Sequence, residues 1–186
     1  ELSEHADAIE AQFGVELGMI SGGNSANLEW ALGNRKPGTR VNNLRLGEAI
    51  LLGREPLGRT PIPGLFTDTV TLVGEVIESI RKPLKPWGTR AQSAFDKTAA
   101  GDANGEACGS GWQTIVAIGH QDTDPGGLQP SDGCRLLGAS SDHLVLATKR
   151  RMRPGTEVSF QPNYSALLRS TISPFVAMTV DSQPAR

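Results

Sequence analysis

The chain has 186 residues, which is enough to bury a hydrophobic core and to form one or two domains. Its formal net charge is −2 and its sequence pI is about 5.9, so it lacks the basic surface that nucleic-acid binding requires. No stretch approaches the roughly 20 apolar residues that span a bilayer. We therefore expect no nucleic acid and no membrane among its partners.

The first part of the chain alternates between helical and strand-like patterns. Apolar spacing and terminal glycines predict a helix over residues 3–13, a strand over 15–20, a helix over 24–32, a strand over 41–46 and a helix over 48–52. This alternation is typical of a parallel α/β fold. The chain opens within the first helical pattern and without a Met, which suggests a piece of a longer protein.

The second part has a different character. The alternation of helices and strands ends at a group of turn residues, Pro56, Pro61, Pro63 and Gly64. These residues predict a domain boundary that separates residues 1–64 from residues 65–186. Alternating apolar residues predict a strand over 69–77 and shorter strands over 113–118, 135–137, 143–148, 157–160 and 175–180. Residues 82–110, rich in Gly, Ala and Pro, predict a long loop. We expect a small all-β domain.

Two cysteines and one basic cluster set further expectations. Cys108 and Cys134 lack the spacing of a metal site, so we expect reduced cysteines in a cytoplasmic protein. The basic cluster is typical of a solvated hairpin turn and comprises Lys149, Arg150, Arg151 and Arg153.

Two turns in the first part could hold a phosphate group. The loop around Ser25 and the turn at Gly47 and Glu48 each precede a predicted helix, where backbone N–H groups lack intrahelical partners. Ser25 could also donate its hydroxyl to a phosphate oxygen. The alternative is structural, with Asn24 or Ser25 capping a helix and Gly47 serving as a turn glycine.

Four motifs carry a resemblance to a known family: SGGNSANLEWAL at 21–32, VNNLRLGEAILLGRE at 41–55, LLGASSDHLVL at 136–146 and PNYSALLRSTISP at 162–174. In this order they resemble the carboxy-terminal half of the alanine racemase family, fold-type III pyridoxal-phosphate enzymes, and especially its ornithine-racemase-like branch. The resemblance implies the last βα units of a (β/α)8 TIM barrel over 1–64 and a carboxy-terminal β-domain over 65–186. It also implies an amino-acid substrate and a homodimer.

The resemblance assigns cofactor-binding roles. Ser25, Gly47, Glu48 and the only tyrosine, Tyr164, match residues that bind the phosphate of pyridoxal 5'-phosphate. A buried tyrosine bonded to a backbone carbonyl is the alternative for Tyr164.

Arg45 matches the family's arginine on the pyridine nitrogen of the cofactor. Because a guanidinium group cannot share a proton as a carboxylate can, that nitrogen would stay unprotonated, which favours reprotonation of the α-carbon over transamination. The alternative is a surface ion pair between Arg45 and Glu48 or Glu55.

His120 is the candidate catalytic base. It aligns with the position at which many alanine racemases have a tyrosine that acts as the base on one face of the substrate. An imidazole with a reference pKa of about 6.5 exchanges protons readily at neutral pH. Asp122 could hold the ring, and His120 could equally be a hydrogen-bonding residue that transfers no proton. A metal site formed with Asp122 and Asp124 has no other support in the sequence.

Ser140 and Ser141 align with family residues that approach the substrate of the partner subunit, and Asp142 aligns with an aspartate that organises that loop. A turn stabilised by its own serine and aspartate side chains is the alternative.

No lysine of the chain matches the family lysine that binds the cofactor covalently; the lysines are Lys36, Lys82, Lys85, Lys97 and Lys149. We therefore expect this chain to need a missing amino-terminal barrel half and to be inactive alone. A non-catalytic module that binds a phosphate ligand or a partner is the alternative. A decarboxylase or aldolase on the same fold would need an acidic or metal-binding residue that the sequence does not assign.

Overall fold

A computed structural model describes residues 1–33, 36–84 and 109–180. The chain divides into two compact units, Glu1–Thr69 and Val70–Arg186. Within the described ranges, no helix combines the length and the apolar character needed to cross a membrane.

The first unit begins with helix α1, Leu2–Phe13, as the apolar spacing predicts. Gly14 ends the helix in the left-handed conformation at φ 63°, which favours glycine. Ala6 on α1 packs against Ile20 and Val41, and these three residues form a buried cluster in the unit.

An ion pair joins α1 to the chain before the second strand. Both terminal nitrogens of Arg40 donate to the Glu10 carboxylate at 2.7 Å, and Asp7 accepts from Arg40 as well. The hydrogen bond from Arg40, followed by one from the Leu17 N–H, lowers the pKa of Glu10 from 4.5 to about 2.

Two short parallel βα units follow α1. Strand β1, Ser21–Asn24, leads through a 3-10 turn at Ser25–Asn27 into helix α2, Leu28–Gly33. Strand β2, Asn43–Arg45, pairs in parallel with β1 and leads into helix α3, Glu48–Leu52. Asn24 lies opposite Arg45, so the carboxyl ends of the two strands share one edge.

The strand predicted over 15–20 is wrong, and the strand predicted over 41–46 is shorter than expected. The Asn42 side chain accepts a hydrogen bond from the Ile20 N–H at 2.9 Å and donates to the Gly18 carbonyl at 2.9 Å. These side-chain bonds replace a strand ladder, and Met19 is 70% exposed.

The second unit is a six-stranded antiparallel sheet in the order β5-β8-β3-β4-β7-β6. Its core contains Val76, Val116, Leu146 and Phe160, all nearly inaccessible to solvent. The strands are β3 at Leu72–Pro83, β4 at Ser110–Val116, β5 at Leu128–Pro130, β6 at Cys134–Ala139, β7 at Leu144–Thr148 and β8 at Glu157–Pro162.

Four local predictions fail in this unit. The ends of the predicted loop over 82–110 belong to β3 and β4, while residues 85–108 lie outside the described part. The strand predicted over 175–180 is absent, because those residues pair with no strand in the described part of the chain. Strand β5 and helix α4, Tyr164–Ile172, were not predicted; Asn163 caps α4 by accepting from the Ala166 N–H at 2.9 Å.

Candidate functional site

Ser25 lies at the carboxyl end of β1, where its hydroxyl meets the beginning of α3. The side chain is buried, and its Oγ accepts hydrogen bonds from the N–H groups of Gly47 at 3.3 Å and Ala49 at 3.2 Å. A hydroxyl that accepts two N–H groups still has its own O–H to donate. Ser25 and Gly47, predicted to hold the same phosphate, lie next to each other, and the Gly47 N–H donates to the Ser25 hydroxyl.

The predicted capping role falls to Asn24 rather than to Ser25. The Asn24 side chain accepts from the Ala26 N–H at 3.0 Å, and Asn27 reciprocates by accepting from the Asn24 N–H. Ser25 is thereby released from capping its own turn and reaches across to α3.

Arg45 ends β2 beside these residues and is exposed. Its two suggested ion-pair partners are occupied, because Glu48 pairs with Arg59 and the Glu55 carboxylate accepts from the N–H groups of Leu57 at 2.8 Å and Gly58 at 2.5 Å. Within residues 1–33, 36–84 and 109–180, Arg45 makes no ion pair or side-chain hydrogen bond.

Tyr164 is the first residue of α4 and is half-buried. In the described part of the chain its hydroxyl makes no hydrogen bond, which differs from the alternative of a tyrosine bonded to a backbone carbonyl. The hydroxyl therefore keeps both its donor and its acceptor capacity for a ligand.

His120 lies in the loop that follows β4, and this loop contacts the β6–β7 turn. The His120 N–H donates to the Ser140 carbonyl and the Gln121 N–H to the Ser141 carbonyl, both at 3.0 Å. Two predicted site segments, the His120 loop and the turn of Ser140, Ser141 and Asp142, are thus adjacent.

Gly119 permits this close approach. An added Cβ at Gly119 would lie 2.4 Å from the Ser141 carbonyl oxygen and 2.5 Å from the His143 nitrogen, both backbone atoms that cannot move aside independently. The turn is also closed internally, since the Ser140 Oγ accepts from the His143 N–H at 3.1 Å.

Asp122 and Asp124 hold the His120 loop in place. The buried Asp122 carboxylate accepts from the Gly119 N–H at 2.9 Å and from the Ser173 hydroxyl at 3.4 Å. Asp124 accepts from the Gly126 N–H at 3.2 Å and from the Ser165 hydroxyl at 2.6 Å. These contacts give both aspartates structural roles.

Helix α4 is tied to the same loop by buried hydroxyl groups. The Thr123 hydroxyl donates to the Ala166 carbonyl at 3.2 Å, and the Ser170 hydroxyl donates to Thr123 at 3.0 Å. Helix α4 was not predicted, although the Asn163 cap and the apolar residues Ala166 and Leu167 that follow it could have indicated it.

The described residues contain no group of three or more His, Cys, Asp or Glu side chains that could hold a metal ion. Cys134 is a free, half-buried thiol. Cys108, Lys85 and Lys97 lie outside the described residues. A shallow cavity of about 150 Å³ lies apart from Ser25 and is lined by Trp30, Ala31, Val41, Asn42, Asn43 and Leu44.

Known proteins resemble this chain over nearly its whole length. No protein-family model matches it. It is 34% identical over 179 residues to an ornithine racemase from Acetoanaerobium sticklandii, covering 94% of this chain and 49% of that protein. It is 36% identical over 173 residues to a lysine racemase from Thermotoga maritima, covering 91% and 48%. The chain spans about half the length of the curated relatives it matches.

One solved structure supports the fold, and a second has a lower TM-score. An alanine racemase from Bacillus anthracis with bound L-Ala-P matches with a TM-score of 0.51 and 17% identity, over 84% of this chain and 39% of that chain. An alanine racemase from Oenococcus oeni has a TM-score of 0.48 and 19% identity, over 92% and 49%.

Two short parallel βα units followed by an antiparallel β-unit, together with these relatives, define an amino-acid-racemase-like protein. The chain is similar to an ornithine racemase and a lysine racemase over about half the length of each, and its fold is similar to that of an alanine racemase. The predicted fold class, the end of a TIM barrel followed by a small β-domain, is confirmed.

Proposed function

We propose that this chain is the carboxy-terminal portion of a pyridoxal-phosphate-dependent amino-acid racemase that interconverts L- and D-amino acids. The similarity to an ornithine racemase over 94% of the chain carries this proposal. Ornithine and lysine, the substrates in the names of the two relatives, are the first candidate substrates. When bound, pyridoxal phosphate withdraws electrons from the α-carbon of an attached amino acid and so acidifies its α-proton.

The residues around Ser25 fit the phosphate of this cofactor. The buried Ser25 hydroxyl is held by the N–H groups of Gly47 and Ala49 and can donate its own hydrogen to an anionic oxygen. The Glu48 N–H, in the first turn of α3, is a further donor without an intrahelical acceptor. Tyr164 is proposed as a further phosphate donor on the family resemblance and on its uncommitted hydroxyl.

Arg45 is proposed to bind the pyridine nitrogen of the cofactor. Parallel pairing places Arg45 opposite Asn24, the residue before Ser25, and its rival carboxylate partners are engaged elsewhere. A guanidinium group there donates a hydrogen bond but keeps its own protons, because its pKa stays above about 12.

His120 is proposed to move the α-proton on one face of the substrate. Its backbone is fixed by the Ser140 carbonyl, and Asp122 fixes the preceding residue, Gly119. A positioned imidazole suits general acid–base catalysis near neutral pH. The second base and the lysine that binds the cofactor would come from the missing amino-terminal barrel half, so we propose that this chain alone is inactive and that the intact protein is a homodimer.

Cofactor titration of the full-length protein that contains this chain tests the proposal. We expect visible absorbance from bound cofactor and covalent retention after borohydride reduction at a lysine outside this chain. Ser25→Ala should weaken binding about tenfold, the value of one charge-assisted hydrogen bond, while Ser21→Ala at an exposed position of the same strand should not.

Absence of cofactor uptake by the full-length protein would contradict the racemase proposal. The alternative, a non-catalytic module that binds a phosphate ligand or a partner, would then be preferred. Binding that survives Ser25→Ala unchanged would reject the phosphate assignment but leave the racemase proposal standing.

A further inference from the structure

The loops around His120 contain three carboxylates, and two of them are committed to the protein itself. Asp122 is 5% exposed and accepts hydrogen bonds from the Gly119 N–H and the Ser173 hydroxyl. Asp124 accepts one hydrogen bond on each oxygen, from the Gly126 N–H and the Ser165 hydroxyl. Both carboxylates are therefore engaged in holding the loops in place.

Asp142 differs from both of them. It is exposed in the β6–β7 turn, and within the described ranges its side chain makes no hydrogen bond or ion pair. The turn is held by the hydroxyl of Ser140 instead, which accepts from the His143 N–H. Asp142 is therefore not needed to close its own turn.

The position of this turn connects Asp142 to the proposed chemistry. The carbonyls of Ser140 and Ser141 accept the N–H groups of His120 and Gln121, each at 3.0 Å. The backbone of Asp142 itself lies so close to Gly119 that a Cβ there would be 2.6 Å from the Asp142 carbonyl carbon. The turn that carries the uncommitted carboxylate therefore packs directly against the loop that carries the proposed base.

From this arrangement we infer that Asp142 determines substrate specificity by binding the distal ammonium group of a diamino acid. The inference rests on the proposed racemase function and names the substrate class of that site. A carboxylate without a protein partner can accept two or more hydrogen bonds from an ammonium group, which has three donors and no acceptor. An amino acid with an uncharged side chain gains nothing from this residue.

A pair of substrates that differ only at the distal group tests the inference. Ornithine and norvaline have the same carbon chain, and norvaline lacks the terminal amine. In the full-length protein with its cofactor, Asp142→Asn should lower kcat/KM for ornithine about 10- to 100-fold, the loss of one charge-assisted hydrogen bond, mainly through KM. The value for norvaline should stay within about twofold.

Asp132→Asn is the matched control, because Asp132 is an exposed aspartate in another turn of the same unit. This substitution removes the same charge and should change kcat/KM for neither substrate. Because the ratio of ornithine to norvaline activity is measured within each variant, a lower folded fraction cannot imitate the effect.

An unchanged ornithine-to-norvaline ratio in Asp142→Asn, or an equal change of that ratio in Asp132→Asn, would overturn the inference while leaving the racemase proposal intact. A wild-type protein that racemises neither amino acid despite bound cofactor would instead overturn the proposed function, and the inference with it.

Discussion

Glu10 and Arg40 illustrate how one ion pair fixes the first unit. The bidentate bond from Arg40 is the main cause of the lowered pKa of Glu10, which falls from 4.5 to about 2. Since the folded pKa lies below the unfolded value, the pair stabilises the fold fully above about pH 4.5 and loses this contribution as the pH falls through about 2.

Chemical unfolding of the chain and its Glu10→Gln variant at several pH values tests this pH dependence. We expect the variant to be less stable at neutral pH and the difference to shrink as the pH approaches about 2. Glu16→Gln, at an exposed site of the same unit, should show no such trend. A pH-independent difference for Glu10→Gln would contradict the assigned cause.

His120 carries the proposed proton transfer. Replacing it with Gln keeps a polar side chain but removes the titratable group, so kcat of the full-length protein should fall about 100-fold or more with KM little changed. His143→Gln is the control, because His143 contacts the same turn only through its backbone in the hydrogen bonds recorded there. Activity retained in His120→Gln would assign the histidine to hydrogen bonding alone.

The sequence indicated candidate site residues but not the hydrogen bonds that each of them makes. The motif around Ser25 indicated a phosphate site, but only the fold shows that Asn24 does the capping and that Ser25 reaches α3. The sequence suggested that Asp122 holds the His120 ring. In the structure the Asp122 carboxylate accepts hydrogen bonds from Gly119 and Ser173. Such contacts join residues up to 51 positions apart, which local patterns cannot reveal.

At the scale of elements, the packing of the His120 loop on the β6–β7 turn depends on Gly119. Gly119→Ala should separate the two segments, because the new Cβ would lie 2.4 Å from the Ser141 carbonyl oxygen. We expect a loss of about 2–3 kcal/mol in unfolding free energy, measured by chemical denaturation. Gly126→Ala is the control in the same loop, since its nearest contact is an ordinary 3.5 Å.

Equal stability of the Gly119→Ala and Gly126→Ala variants would show that the loop and the turn are not packed as described. A loss confined to Gly119→Ala would support the close backbone approach on which the candidate site depends.

Element prediction succeeded where periodicity and terminal signals agreed. Helix α1 and helix α3 both end at glycines with positive φ, and the sequence located both ends. It failed where side chains replaced the backbone ladder, as Asn42 does at Ile20 and Gly18. Residues 175–180 have an apolar strand-like pattern but no neighbouring strand, and periodicity alone cannot supply a partner.

At the scale of the whole molecule, the two units differ in how much core each contains. The first unit has a buried cluster of three residues, and its sheet has two short strands, which is marginal for independent stability. In the described part of the second unit, the core cluster has ten buried residues, most of them on the six-stranded sheet. The chain spans about half the length of the curated relatives it matches.

In hydrogen exchange of the chain alone, the amides of the two units should therefore differ strongly in protection. Amides of β1 and β2 should exchange much faster than those of β3, β4 and β7, because local unfolding of the first unit exposes little buried surface. Mass spectrometry of peptides from the two units measures this directly. Equal protection in both units would mean that the first unit is stable without further sequence.

The alternation of helical and strand-like patterns, together with the family motifs, predicted the fold class. The sheet order β5-β8-β3-β4-β7-β6 could not be predicted from the sequence. Several strands that are adjacent in this sheet are distant in the chain, as with β3 and β8. Local patterns specify which segments are extended but not which of them pair.

Racemisation of ornithine in heavy water by the full-length protein, supplied with pyridoxal phosphate, tests the proposed racemase activity. We expect L-ornithine to yield D-ornithine with deuterium at the α-carbon, since the proton is removed and replaced from solvent-exchanged groups. A protein that binds the cofactor but produces neither a D-amino acid nor α-deuterium from ornithine, lysine or alanine would contradict it.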